Sequence, residues 1–312
     1  MPTVDTLGTL HTYDLTGELT RTGESLVFIH GWLLSRAYWQ PLAASLAADY
    51  RCLTYDLRGF GDSTERAATP ESAQAERRFI HLPSSAEKTE VPAYSLAAYA
   101  QDLGWLLDCL GLDNVWLVGH SLGGSIALWA AYLLGDRIKG VLCVNAGGGI
   151  YIPDEFEKFR AAGQQMVKFR PAWLLSVPLL PQVFARLMVN RPLEANWGKQ
   201  RLQDFIRANR QAAIGALLES TTCEEVNLLP QVVAQLTQPV HFITASQDRV
   251  MLPQYVRYLA SFHPHFGSES LVSELSDCGH MAMVEQTEAV AEIIRSVVNA
   301  YGFKAHSDHS YS

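Results

Sequence analysis

The sequence encodes an α/β fold: a mostly parallel, eight-stranded sheet flanked by helices, with a helical cap inserted late in the chain. Two observations predict it. Short β-rich apolar runs alternate with longer helical patterns, as in a parallel sheet covered on both faces. That alternation stops between Gly147 and Leu229, where helical patterns occur without a convincing strand.

The elements follow in order. A hairpin around His11–Thr22, turned at Thr16-Gly17-Glu18, supplies two antiparallel edge strands. Buried strands are expected at Ser25–His30, Arg51–Tyr55, Val115–Gly119, Gly140–Asn145, Val240–Thr244 and Ser270–Leu275. Helices are expected at Ala37–Ala48, Leu96–Leu110, Leu122–Leu134, Gln254–Ser261 and Glu288–Tyr301. The polar stretch Glu65–Pro92, with Pro70, Pro83 and Pro92, reads as a long loop of the kind that is often functional or mobile. Residues 1–146 and 230–303 then form the core, 147–229 the cap, and 304–312 a disordered tail. His306 and His309 in that tail lack the converging partners a metal needs.

Composition narrows the function classes. The 312 residues carry a formal charge of −8, with no basic run, which argues against nucleic-acid binding. No GxGxxG opens a helix and no GxxxxGK[ST] occurs, so no phosphate-cradling loop of either kind is expected. Hydrophobic residues make up 48%, enough for a sizeable core. Charged residues are 18%, below the roughly 25% of ordinary soluble domains. Cys52, Cys109, Cys143, Cys223 and Cys278 form no CxxC, and four of them sit in apolar surroundings, which suits buried thiols in a reducing compartment. The first residues lack a basic and an apolar signal region, and no uninterrupted apolar stretch is long enough to span a bilayer. A soluble cytoplasmic protein is the expectation.

The chemistry concentrates at Gly119-His120-Ser121-Leu122-Gly123, a G-x-S-x-G between a strand run and a helical run. That context is a nucleophile elbow. The turn is so tight that Ser121 must adopt strained dihedrals, and its neighbours two residues away on each side must lack side chains. The Leu122 N–H then points toward the same space as the serine hydroxyl. A serine needs a base. Among ten histidines His280 stands out, because it follows a strand and the turn Ser276-Asp277-Cys278-Gly279 and precedes the last helix. His30 and His120 beside glycines, and His81 in the polar loop, read as structural or solvated, and His263 and His265 as surface residues. The orienting acid is expected in a loop between Ser121 and His280; Asp248, just after Val240–Thr244, fits. The other such site, after Gly140–Asn145, offers Asn145, Ala146 and glycines and no carboxylate, and Asp277 reads as a turn residue.

With Leu26-Val27-Phe28-Ile29-His30-Gly31-Trp32, Asp56-Leu57-Arg58-Gly59-Phe60-Gly61-Asp62-Ser63, the elbow, Ser246-Gln247-Asp248 and Cys278-Gly279-His280, the chain resembles the α/β-hydrolase superfamily over roughly residues 5–302. It is most similar to serine aryl esterases and cofactor-free haloperoxidase-like hydrolases. The resemblance implies a second oxyanion donor at the Trp32 amide, beside Leu122, each such donor being worth on the order of 3 kcal/mol. It also implies an acyl-enzyme mechanism with Ser121, His280 and Asp248 and no metal or organic cofactor. Haloperoxidase and epoxide-hydrolase relatives often carry proline where this chain has Leu33, which favours ester cleavage over perhydrolysis. Epoxide hydrolases and dehalogenases place aspartate where Ser121 stands.

In the cap, Ala172–Pro181 and Val183–Val189 are apolar but interrupted by prolines and Arg186, so they do not span a membrane. They read as the packed underside of the cap or, alternatively, as a lipophilic channel or membrane-touching lid flanked by Arg170, Arg186 and Arg191. The expectation is a carboxylic ester hydrolase acting on a small, apolar acyl or aryl ester. A C–C hydrolase or lyase on the same triad, and a non-catalytic ligand receptor, remain the alternatives.

Overall fold

A computed structural model of the chain describes residues 1–6, 8–18, 24–65, 78–83, 87–149, 153–268 and 270–307. Its strands, in chain order, are β1 (Thr3–Thr6), β2 (Thr9–Thr16), β3 (Ser25–Ile29), β4 (Arg51–Tyr55), β5 (Thr64–Glu65), β6 (Arg78–His81), β7 (Lys88–Val91), β8 (Val115–His120), β9 (Ile138–Val144), β10 (Val240–Ala245) and β11 (Val272–Leu275). Eight of them form a sheet in the order β1-β2-β4-β3-β8-β9-β10-β11, and β5 pairs with β2 beside it. All neighbours from β4 to β11 run parallel, whereas β1 and β2 are antiparallel. The mostly parallel sheet flanked by helices is therefore present.

Side chains alternate across the sheet, and both faces are apolar because both are covered. Val27, Ile29, Leu53, Leu117 and Val141 pack on one side with Leu96–Leu110 and Leu122–Leu134. Leu26, Phe28, Cys52, Val118 and Ile243 pack on the other, with residues of Gln40–Leu46 and Thr287–Ser307. The helix Leu96–Leu110 has the expected ends: Ser95 Oγ accepts the Ala98 N–H, and Gly111 closes it at φ 61°.

Several expectations need correction. The edge hairpin turns between Thr6 and Thr9, not at Thr16-Gly17-Glu18; Gly8 stands there at φ 95° and donates its N–H to Asp5 Oδ1 at 2.8 Å. Residues 16–18 instead end β2, because Gly17 is at φ 75° with Tyr50 and Ala47 carbonyls where a Cβ would lie. The Glu65–Pro92 loop contains the antiparallel pair β6–β7; its residues 66–77 and 84–86 lie outside those described. The last helix continues through Lys304 to Ser307, a stretch that no proline interrupts; residues 308–312 lie outside those described. Only Cys52, Cys143 and Cys278 are buried, whereas Cys109 and Cys223 face water on helix surfaces. His263 is buried too, its Nε2 bonded to the Gln238 carbonyl at 3.0 Å.

Between β9 and β10 the chain runs through Pro153–Lys168, Ala172–Ser176, Leu180–Phe184, Ala195–Arg207, Arg210–Ser220 and Cys223–Gln235. The last of these starts at a Thr222 cap, and Trp129 Nε1 donates to its Glu225 carboxylate at 2.6 Å. Burial pushes the Glu225 carboxyl up to about 7. An acid raised on folding favours the folded state fully below its unfolded value of ~4.3, and that contribution is lost as pH rises through the folded value. Glu225→Gln is therefore expected to flatten part of the stability loss between acid and mildly alkaline pH, by about 1–2 kcal/mol after discounting for partial exposure. Denaturant unfolding of both proteins at either end of that range measures it; parallel pH profiles would refute it. Among the described residues no helix is long and apolar enough to cross a membrane.

Candidate active site

Ser121 sits at φ 51°, ψ −119°, between β8 and the helix Leu122–Leu134. For an L-residue this is a strained conformation. The turn is held by backbone bonds: the Ser121 N–H donates to the Val144 carbonyl, and its own carbonyl accepts from Gly124. The flanking glycines are sterically required. A Cβ on Gly119 would lie 2.3 Å from the Gly123 oxygen, and one on Gly123 2.2 Å from the Ile29 oxygen.

His280 and Asp248 come from the loops after β11 and β10 and are both buried. His280 Nδ1 lies 2.8 Å from Asp248 Oδ2. The other carboxylate oxygen, Oδ1, accepts the N–H groups of Val250 and Met251 at 2.8 and 2.9 Å. Burial alone would raise the Asp248 carboxyl; the His280 ring and these amides outweigh it and hold the carboxyl below its ordinary value. Asp248 thus stays ionised, and its Oδ2 accepts the Nδ1–H of His280.

Two further residues support this arrangement: the sequence assigns Asn145 no role, and it marks His120 as structural or solvated without indicating its partner. Asn145, at φ 50° just after β9, donates Nδ2–H to Asp248 Oδ2 at 2.9 Å and to the Gly279 carbonyl at 3.4 Å. The position without a carboxylate therefore supports the acid on the neighbouring strand. The one signal available was a polar amide at the carboxyl end of a buried strand. His120, fully buried, donates Nε2–H to the His280 carbonyl at 2.7 Å, and the two rings lie 4.8 Å apart. Burial, reinforced by the His280 ring, pushes its pKa down to about 3, so it is a neutral brace. His30 is likewise neutral, lowered to about 4 by burial; its Nδ1 donates to the Gly31 carbonyl and its Nε2 accepts the Leu57 N–H. Asp277 is an exposed turn residue at φ 53°.

The loop after β3 runs beside the elbow. A Cβ on Gly31 would lie 2.8 Å from His120 Nδ1 and 3.3 Å from Ser121 Cβ. Trp32 is fixed by its indole, which donates to the Ala213 carbonyl at 2.8 Å. Leu33 adopts φ 57°. Proline, locked near −65°, is incompatible with that backbone. Trp32, Ser121 and Leu122 line one cleft of about 690 Å³, open mouth included, and Val250 and Met251 line it too. Across from the sheet its wall is Phe159, Leu217, Ser220 and Thr221, from the helices between β9 and β10. The five expected site residues follow the carboxyl ends of β3, β8, β10 and β11, where an open α/β sheet presents ligands: Trp32, Ser121 and Leu122 share the cleft, and Asp248 and His280 are bonded to each other. Among the described residues no three His, Cys, Asp or Glu side chains are grouped to hold a metal ion.

The family model described as alpha/beta hydrolase fold matches residues 24–287. A pimeloyl-[acyl-carrier protein] methyl ester esterase of Aliivibrio salmonicida is 34% identical over 249 residues, covering 78% of this chain and 81% of that protein. Among solved structures, a bromoperoxidase from Bacillus anthracis superposes with a TM-score of 0.70 at 20% identity, covering 93% of this chain and 96% of the other. A putative aryl esterase from Burkholderia cenocepacia does so at 0.66 and 20%, covering 94% and 95%.

Proposed function

The chain belongs to the α/β-hydrolase fold family, and from that premise we propose that it is a serine hydrolase cleaving a carboxylic ester through an acyl-enzyme. The observation that carries this reading is the 2.8 Å bond between His280 Nδ1 and Asp248 Oδ2. With its proton committed to Asp248, the ring presents a bare Nε2 as base. Nε2 takes the Ser121 proton as Oγ attacks the ester carbonyl, and the ionised Asp248 stabilises the imidazolium. The Trp32 and Leu122 amides receive the oxyanion. The intermediate collapses, His280 returns the proton to the leaving alcohol, and a water activated by the same base hydrolyses the acyl group.

The walls of the cleft support an apolar substrate. Trp32, Leu96, Phe159, Leu217, Val250 and Met251 surround the nucleophile, so an acyl or aryl group gains by leaving water there. In this reading the helices between β9 and β10 cap the cleft and set acyl-chain length. The relative from Aliivibrio, named as a methyl ester esterase, is consistent with ester chemistry.

A fluorophosphonate probe tests the reading. The folded protein is expected to react at Ser121, located by peptide mapping, and then to turn over p-nitrophenyl esters in a series from acetyl to palmitoyl. A folded protein that does not react sinks the esterase reading and favours a ligand receptor. Labelling without ester turnover favours the C–C hydrolase.

A further inference from the structure

Nine of the thirteen large hydrophobic residues exposed among the described residues fall between Phe159 and Met188. Phe169 is 77% exposed, Leu179 71% and Trp173 64%. The sequence reading of this stretch as a packed underside therefore holds only for one side of it. Leu174, Leu180 and Phe184 pack inward against the core, and Ala185 is buried. Phe169, Trp173, Leu175, Leu179 and Val183 stand outward in water.

This shelf is firmly built. Arg201 donates to the carbonyls of Phe184 and Leu187, and Arg170 to those of Phe205 and Ala208 at 2.6 Å. Gly198 packs against the Pro181 carbonyl so closely that a Cβ there would overlap it. Leu179 itself adopts φ 66°, a conformation that costs a leucine and that the surrounding bonds sustain. A segment that already satisfies the core through its inner side has no folding reason for a second apolar set outside.

Charge on the same stretch is one-sided. Between Glu157 and Glu194 there is no Asp or Glu, while Lys158, Arg160, Lys168, Arg170, Arg186 and Arg191 are all present, in a chain of net charge −8. Arg160 and Arg170 are spent on backbone carbonyls. Lys158, Lys168, Arg186 and Arg191 are exposed; Arg186 also donates to the Gln182 carbonyl at 3.1 Å, and the Glu285 carboxylate accepts the Arg191 N–H at 3.2 Å.

We infer that this shelf docks on an anionic lipid surface, Phe169, Trp173 and Leu179 entering the headgroup boundary while the surrounding cations meet lipid phosphates. Outward Trp, Phe and Leu combined with Lys and Arg is the composition of an interfacial membrane contact. An acidic protein partner would explain the cations and Trp173, but not the outward Leu175, Leu179 and Val183, residue types under-represented among protein hot spots. Phe159, from the same stretch of chain, also lines the cleft beside Ser121. The inference concerns where the protein sits and does not depend on the bond it cleaves.

Flotation of the full chain with phosphatidylcholine vesicles, with and without about 30% phosphatidylglycerol, tests it. Flotation is expected with the anionic vesicles and to weaken with added salt. Trp173→Ser with Leu179→Ser is expected to cut the bound fraction about tenfold or more, and Lys168→Glu with Arg186→Glu to do the same. Circular dichroism, melting temperature and turnover of a soluble ester should be unchanged, because these side chains point outward. No flotation, equal flotation with neutral vesicles, variants that float like the parent, or retention on immobilised polyglutamate without vesicle binding would each overturn the inference.

Discussion

Ser121→Ala is expected to lower kcat/KM for a short p-nitrophenyl ester about 10⁴-fold or more, equivalent to about 5 kcal/mol of transition-state stabilisation. Removing the Oγ deletes the attacking atom while leaving the Trp32 and Leu122 amides to polarise the carbonyl, so a residual rate over water should survive. The melting temperature should stay nearly unchanged. The elbow is held by the Ser121 N–H donating to the Val144 carbonyl and the Ser121 carbonyl accepting from Gly124 and Ser125, all of which alanine retains, and the strain at φ 51° is common to both residues. Steady-state kinetics and a thermal melt on one preparation separate the outcomes. Activity within a factor of about ten of the parent would place the nucleophile elsewhere. A large fall in melting temperature would mean that the hydroxyl is structural.

The division between what was legible in the sequence and what was not follows the range of the interactions. Leu96–Leu110 and the elbow were readable because their determinants are local: a Ser95 cap and Gly111 stop for the helix, two glycines within five residues for the turn. Asp248 and His280 were readable because each sits in the loop directly after an apolar strand. Asn145 and His120 were not. Their roles arise only when the ends of β8, β9, β10 and β11 come side by side, which brings Nδ2 of residue 145 to a carboxylate over one hundred residues away. The same holds for the β6–β7 pair, whose polar residues lack a strand pattern, and for the shelf from Phe169 to Val183. There the sequence records that side chains are apolar, but which of them face inward depends on Arg201 and Gly198 from another helix.

Asp248→Asn is expected to lower kcat by about 10³–10⁴-fold with the fold intact, through the wrong histidine tautomer. Four donors surround this carboxylate. The Val250 and Met251 amides point at Oδ1, and the Nδ1–H of His280 and the Nδ2–H of Asn145 point at Oδ2. An asparagine offers one accepting oxygen and one NH₂, so one side must adapt. The two backbone N–H groups cannot. Asn145 can, because its Oδ1 is buried without a partner and a flip of its amide presents that oxygen instead. His280 can, by moving its proton. The carboxamide oxygen therefore stays on residues 250 and 251, and its NH₂ donates to a deprotonated Nδ1. The proton then sits on Nε2, which as a donor can no longer accept a serine hydroxyl proton. The loss should appear in kcat with KM changed little, since the cleft walls are untouched. An imidazole NMR spectrum of the variant should show the Nε2–H tautomer. A variant that keeps the Nδ1–H tautomer, or more than about a tenth of the parent kcat, would exclude Asp248 as the group that sets the ring.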